Sequence, residues 1–291
     1  MSETVQEIAS QPTCWRRAAG LAPAFSADLP APGDRTAVVG CGTSWFIAQV
    51  YASLREGAGL GETDAFTATE FPGARHYDRV VAISRSGTTT EVARLVEATD
   101  LPTTAISAVP GTPVPDAADA RVLLEFADER SVVQTRFATT ALALLRAHLG
   151  LDPTAVAAVD AQRAIDDDLP HDPAAFDHFV FLGHGWTVGL ANEAALKMRE
   201  AAQAHTEAYP AMEYRHGPIS LAGPSSLVWI LGSPDPTVAG AVASTGATVH
   251  AAALDPMAEL VSIQRTAVAL AEARGLDPDH PRNLTRSVVL S

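Results

Sequence analysis

A chain that repeats itself in register has few folds open to it, and this chain does so across its two halves. Displacing the sequence by 143 positions sets Gly40 on Gly183, Gly42 on Gly185, Ala48 on Ala191, Thr63 on Thr206 and Asp64 on Glu207. The register runs on without a gap through Ala65 on Ala208, Phe66 on Tyr209, Ala68 on Ala211, Glu70 on Glu213 and Phe71 on Tyr214. A self-match of this kind is an internal duplication, two copies of one folding unit.

Each copy opens in the same way. Thr36-Ala37-Val38-Val39 reads as a strand that runs into Gly40-Cys41-Gly42-Thr43-Ser44 and then into a helical pattern reaching about Glu56. Phe179 to Leu182 runs likewise into Gly183-His184-Gly185-Trp186-Thr187 and a helix. Further strands are predicted at Arg79 to Ile83, Thr103 to Ser107, Val122 to Glu125 and Leu227 to Leu231, with helices to about Thr99 and over Thr135 to Leu149. Apolar runs alternating with Ala-rich helical stretches are the rhythm of βαβ units and a parallel sheet. The predicted fold class is therefore α/β, two tandem subdomains, each a doubly wound, flavodoxin-like parallel sheet flanked by helices. The boundaries fall at 1–30 for an N-terminal helical segment, 31–150 for the first subdomain, 151–175 for a linker and 176–291 for the second subdomain. The linker is marked by Pro153, Pro170, Pro173 and the acidic run Asp166-Asp167-Asp168, read as a polar connecting helix ending in a loop.

Composition removes several function classes. Among 291 residues, 20 Lys and Arg stand against 34 Asp and Glu, a formal charge of −14 that disfavours nucleic acid as a partner. Met1 to Glu7 carries no basic stretch or apolar core of a signal peptide, and no run approaches the roughly 18 apolar residues of a membrane span. The expectation is a cytoplasmic protein with no membrane partner. Cys14 and Cys41 read as two reduced thiols, and no His, Asp or Glu spacing points to a metal. Lys197 is the only lysine. Arginine serves surface charge as well as lysine but cannot readily lose its proton, so a solitary amine invites a chemical role beside the plain reading of a surface lysine.

Three constellations carry candidate chemistry. Ser84-Arg85-Ser86-Gly87-Thr88-Thr89-Thr90 sets hydroxyls, a guanidinium and a glycine where a strand meets a helix, either a phosphate cradle or a Ser/Thr-rich capping turn. The second copy has Gly232-Ser233-Pro234-Asp235-Pro236 at the matching place, which predicts one ligand site per pair of halves. Glu193, Lys197 and Glu200 fall at i, i+4 and i+7, on one helix face, an arrangement open to a solvated ion pair or to proton transfer next to a carbonyl. His216 sits beside the Gly217-Pro218 turn.

These motifs, with His205-Thr206-Glu207-Ala208-Tyr209, Glu213-Tyr214-Arg215-His216-Gly217-Pro218 and the tail Asp279-His280-Pro281-Arg282-Asn283-Leu284, resemble the double SIS (sugar isomerase) domain family, represented by the isomerase half of glucosamine-6-phosphate synthase. The resemblance runs from Gln6 to the C-terminus. It implies that Thr43, Ser44, Ser84, Ser86 and Thr89 hold a sugar phosphate, with Arg85 in place of the family's glutamine adding a charge to the cradle. It also implies further substrate contacts at Cys41, Gly42, Gln134 and Arg286. Glu200 matches the base that moves a proton between carbons 1 and 2, Lys197 the lysine near the ring oxygen and carbonyl, and Glu193 an accompanying acid. His216 matches a ring-opening histidine donated by the neighbouring subunit, which implies a homodimer. Gln134 replaces a serine on the loop before the closing helix, and Arg286 replaces a lysine in the tail. No glutaminase domain or N-terminal cysteine nucleophile accompanies these motifs, so glutamine-dependent amination is not expected of this chain alone. The implied activity is an isomerase/deaminase acting on a hexosamine 6-phosphate without metal, redox or nucleotide cofactor. Two alternatives stay open: an N-acetylglucosamine 6-phosphate 2,3-dehydratase using the same base, and a non-catalytic sugar-phosphate sensor.

Overall fold

A computed structural model describes residues 2–151 and 155–290. The first half runs α1 (Glu3–Ala9), α2 (Gln11–Leu21), β1 (Thr36–Gly40), α3 (Thr43–Gly57), β2 (Thr63–Thr67), β3 (Arg79–Ser84), α4 (Thr90–Ala98), β4 (Thr103–Ser107), α5 (Pro113–Ala117), β5 (Ala120–Leu123) and α6 (Arg136–His148). The second runs α7 (Ala157–Asp166), β6 (His178–Gly183), α8 (Thr187–Ala202), β7 (His205–Pro210), β8 (Ser226–Ile230), α9 (Pro236–Ala243), β9 (Thr248–His250) and α10 (Pro256–Ala273).

All strand pairs are parallel, in the orders β2-β1-β3-β4-β5 and β7-β6-β8-β9. The duplication survives to single-residue register: Thr36 pairs with Thr63, and the residues 143 further on, Phe179 and Thr206, pair in the second sheet. The central strands β1, β4 and β8 are buried along their whole length, and β3 and β6 at all but their first residue, as sheets covered by helices on both faces require. Alternation therefore gives no signal in them, and their runs of Val, Ile and Ala do. The strand expected at Val122 to Glu125 lies two residues earlier, because Glu125 begins a 3₁₀ turn over Glu125–Ala127.

Two compact units divide the described chain, and they do not follow sequence halves. The first comprises Thr13–Arg130, Gln134–Ala155 and Thr285–Ser291; the second comprises Met1–Pro12, Ser131–Val133 and Val156–Leu284. The expected N-terminal segment is thus shared, and the last residues belong with the first sheet. In the first unit, Val39, Val80, Ala82, Val92, Val96 and Ala105 pack as one apolar cluster. In the second, Val180, Leu182, Val228, Ile230, Val238 and Tyr214 do the same. Within the expected linker, α7 buries Ala157, Ala158, Asp160, Ala161 and Ala164, so it is a packed helix of the second unit. Pro153, which helped mark that linker, lies outside the described residues. No helix among the described residues is long and apolar enough to cross a membrane.

Candidate active site

The first unit presents its candidate residues at the carboxyl ends of β1 and β3. These strands are neighbours whose following chains leave toward opposite sides of the sheet, the switch point at which ligands of open α/β sheets bind. Two glycines build the turn after β1. A Cβ on Gly40 would stand 2.7 Å from the Ser44 backbone carbon, so only glycine lets α3 start this close to the strand, and Gly42 takes φ +55 as its N-cap. In the second unit, a Cβ on Gly183 would fall 2.4 Å from the Thr187 backbone, and Gly185 takes φ +56 just before Trp186, the N-cap of α8. Thr43 and Ser44, on the first turn of α3, are buried.

After β3 the chain forms a hydroxyl-lined loop. Gly87, at φ +66, passes so close to Thr112 that a Cβ would fall 2.0 Å from its hydroxyl. Ser84 Oγ lies 3.5 Å from Thr89 Oγ1, and Ser86 Oγ accepts from the Thr88 N–H at 3.2 Å and lies 3.0 Å from Thr88 Oγ1. Thr89 is the N-cap of α4, yet its side chain makes no capping hydrogen bond. The plain reading of this loop as a capping turn therefore fails for Thr89. Its hydroxyl stands beside a helix start whose dipole favours an anion.

The matching loop of the second unit has made the opposite choice. Asp235 caps α9, its carboxylate accepting from the N–H groups of Thr237 and Val238 at 2.8 and 3.3 Å. These hydrogen bonds, with that from the Thr237 hydroxyl, hold the Asp235 carboxyl below its ordinary range. An open cleft of about 430 Å³ lined by His184, Met212, Ser233 and Asp235 lies there. A helix start already answered by the chain's own carboxylate has no call for a second anion, in keeping with one cradle per duplicated pair.

Arg85 departs from the role implied for it. Its side chain is 1% exposed, lies 3.9 Å from Glu129 and donates to the Arg286 carbonyl at 2.7 Å. Glu129, equally buried, accepts from the N–H groups of Thr135, Arg136 and Phe137 at 2.6, 2.7 and 3.2 Å and from the Thr135 hydroxyl at 2.9 Å. The carboxylate caps α6, and the guanidinium balances its charge. Gln134, just before α6, has a buried Oε1 without a hydrogen-bond partner among the described residues. Arg286 pairs with Asp128. Cys41 is half-buried, and burial pushes its thiol up.

In the second unit, the helix-face reading is realised on α8. Lys197 Nζ lies 3.5 Å from Glu193 Oε1 and in closer contact with Glu200 Oε2. Lys197 and Glu193 are 1% exposed, while Glu200 retains 19%. Burying a lysine and a glutamate costs several kcal/mol per ion unless they pair. The cluster is thus no solvated ion pair: two members are sealed in, and only the third reaches the surface. His216 is exposed on the 3₁₀ turn Glu213–His216, followed by Gly217 at φ +138 and flanked by exposed Met212 and Leu221.

Sequence reasoning missed Glu129 and the structural use of residues 285–290. Glu129 lies six residues before Thr135, the N-cap of the helix it caps, outside any capping-box spacing, and only its place within Asp128-Glu129-Arg130-Ser131 distinguished it.

The chain is similar to known proteins over most of its length. The chain is 28% identical over 329 residues to a glutamine–fructose-6-phosphate aminotransferase (isomerizing) of Gloeobacter violaceus, covering 91% of this chain and 53% of that protein. It is 30% identical over 266 residues to the enzyme of that name from Acidithiobacillus ferridurans, covering 72% of this chain and 44% of that protein. A crystal structure described as glucosamine-6-phosphate deaminase from Thermotoga maritima superimposes with TM-score 0.81 at 25% identity, over 99% of this chain and 100% of that one. The chain belongs to the double SIS-domain family. The SIS chain spans about half the length of the curated relatives it matches. No family model matches it. Tagatose-6-phosphate ketose/aldose isomerase from Escherichia coli shares the fold, with TM-score 0.79 at 20% identity over 97% and 98% of the two chains.

Proposed function

We propose that this SIS protein is an amino-sugar 6-phosphate isomerase/deaminase that abstracts the carbon 2 proton of an open-chain glucosamine 6-phosphate type substrate. The observation that carries this reading is the Glu193–Lys197–Glu200 cluster: the single lysine of the chain is sealed between two carboxylates, and Glu200 alone is open to a reactant. A sensor has no need to bury an amine and a carboxylate together. The Thermotoga maritima structure, alike over the whole length of both chains, supports the amino-sugar substrate.

In this reading the cradle of Thr43, Ser44, Ser84, Ser86 and Thr89 takes the phosphate. Glu200 takes the proton from carbon 2, and the Lys197 ammonium stabilises negative charge developing on the carbon 1 oxygen. The proton is returned to carbon 1, which leaves an imine at carbon 2. Water adds to it and ammonia departs, giving fructose 6-phosphate. His216 assists ring opening and acts in the site of a second copy, which makes the protein a homodimer. The exposed apolar Met212 and Leu221 beside it are the natural seat for that partner.

The deciding experiment is proton NMR in heavy water with glucosamine 6-phosphate and, separately, N-acetylglucosamine 6-phosphate. Loss of the carbon 2 proton with ammonia release from the first establishes the deaminase. A vinylic product from the second alone makes the protein a 2,3-dehydratase using the same base. Saturable binding of either sugar without exchange supports the sensor. Glu200→Gln lowers turnover by about 10²–10⁴-fold and spares ligand binding; unchanged turnover refutes the assignment of the base.

A further inference from the structure

The hydroxyl-lined loop after β3 does not stand alone in its unit. Ser287, some two hundred positions downstream, places its Oγ 3.1 Å from Ser86 Oγ and 2.9 Å from Thr88 Oγ1, and those two oxygens are 3.0 Å apart. Three side-chain hydroxyls thus close a triangle.

Apolar burial does not bring the tail there. Val288, Val289 and Leu290 are 53%, 68% and 48% exposed, so the segment gains little by leaving water. Polar contacts to the cradle hold it instead. The buried Arg85 guanidinium donates to the Arg286 carbonyl at 2.7 Å, the Thr90 N–H donates to the Val288 carbonyl at 3.2 Å, and the Leu290 N–H donates to Thr90 Oγ1 at 2.9 Å. A guanidinium is thus committed inside the protein to fixing the backbone on one side of Ser287, and the first turn of α4 fixes it on the other.

The triangle states what guest would suit it. Each hydroxyl carries one proton on a freely turning O–H bond, so in the closed triangle three protons serve three mutual contacts. The same protons can turn outward together toward a guest that only accepts and offers several oxygens. The adjoining start of α4 selects for negative charge in that guest.

We propose that Ser287 is a further phosphate ligand, contributed by the C-terminal tail to the cradle of Ser84, Ser86 and Thr89. The proposal rests on the reading of that cradle as the phosphate site. Ser86, Thr88 and Ser287 then share the phosphoryl oxygens, and an occupied cradle holds the tail more firmly than an empty one.

The test uses the full chain and inorganic phosphate as the probe. Phosphate affinity is measured by calorimetry, and hydrogen exchange is followed in the peptide covering residues 283–291. Phosphate is expected to slow tail exchange about tenfold at saturation. Ser287→Ala, in a half-exposed tail position, is expected to weaken phosphate about tenfold, one charge-assisted hydrogen bond, and to remove the protection, while Ser287→Thr retains both. Binding that Ser86→Ala abolishes but Ser287→Ala leaves intact overturns this proposal alone. So does a tail that exchanges faster with phosphate bound, since Ser287 would then be competing with the anion. Absence of saturable phosphate binding by the unaltered protein overturns the cradle reading and this proposal together.

Discussion

Replacing Arg85 by methionine isolates a buried charge pair of the first unit whose geometry allows it to be sized. The guanidinium and the Glu129 carboxylate are 3.9 Å apart, and neither is more than 1% exposed. At an effective dielectric constant of 20, their attraction is about 4 kcal/mol. Methionine has a similar volume, so packing is largely kept. Glu129 keeps its four other donors, three of them N–H groups at the start of α6, which soften the loss. Removing one partner of a buried pair costs about 3–5 kcal/mol, and these donors set the expected loss at the lower end, about 3 kcal/mol. With a urea slope of about 2–3 kcal/mol/M, the midpoint falls by roughly 1 M. Glu129→Gln alone is also destabilising. The double variant Arg85→Met/Glu129→Gln is expected to lose about 2 kcal/mol less than the sum of the singles. Urea titrations of all four proteins, followed by circular dichroism, give the cycle. An Arg85→Met loss below 1 kcal/mol, or strict additivity, refutes the assignment of Arg85 as the counter-charge of Glu129 and returns its guanidinium to the phosphate.

Other substitutions test the remaining structure. Mixing two inactive proteins, Glu200→Gln and His216→Ala, is expected to restore about a quarter of normal turnover after subunit exchange, because half the dimers are mixed and each holds one intact site; no recovery from a demonstrably exchanged mixture removes His216 from the partner's site. Gly183→Ala forces a Cβ to within 2.4 Å of the Thr187 backbone and should destabilise by about 3 kcal/mol, whereas Gly185→Ala, at φ +56 in open space, should cost about 1 kcal/mol; equal thermal shifts contradict this. Tyr214→Phe deletes a buried hydroxyl that lacks a partner among the described residues and is expected to raise the melting temperature; a fall implies a hydrogen bond to that hydroxyl. His171, lowered by burial and by His250, favours its neutral form in the folded chain, so its contribution is complete above the unfolded value near 6.5 and is lost as pH falls below it; His171→Gln should flatten the decline in melting temperature between about pH 6.5 and 5.

The parts of this molecule legible in its sequence are those whose physics is local or repeated. The glycine turns declared themselves because the same two glycines recur at one spacing; the first is needed for the closeness of strand end and helix start, the second for its positive φ. The Glu193, Lys197 and Glu200 face followed from helical periodicity alone. Burial did not follow: no pattern says that Glu193 and Lys197 are sealed while Glu200 is not, because that depends on what packs over α8. Arg85 misled for a related reason. A cation in a hydroxyl-rich loop reads as an anion ligand until the carboxylate opposite it is known, and Glu129 stands 44 positions away. Ser287 is further still, and only the path of the tail in space brings it to Ser86.

On the proposed reading, the two halves of the duplication also explain why one anion cradle suffices. Both copies present a helix start after the third strand of the β2-β1-β3 and β7-β6-β8 arrangements, and both must satisfy its N–H groups. In the second copy Asp235 does this with a carboxylate two residues before Thr237, a charged cap that is always in place. In the first copy the N-cap is Thr89, whose hydroxyl stays out of the capping role, and the Thr90 N–H is taken by the Val288 carbonyl, a neutral acceptor on an exposed tail. A neutral acceptor leaves the positive end of the helix uncompensated for an arriving anion, where a permanent carboxylate would repel it. Exchanging the two solutions tests the argument directly. Thr89→Asp is expected to stabilise the first unit by about 1 kcal/mol through capping while abolishing phosphate binding by charge repulsion. A variant that is stabilised and still binds phosphate with undiminished affinity would place the anion elsewhere than at the start of α4.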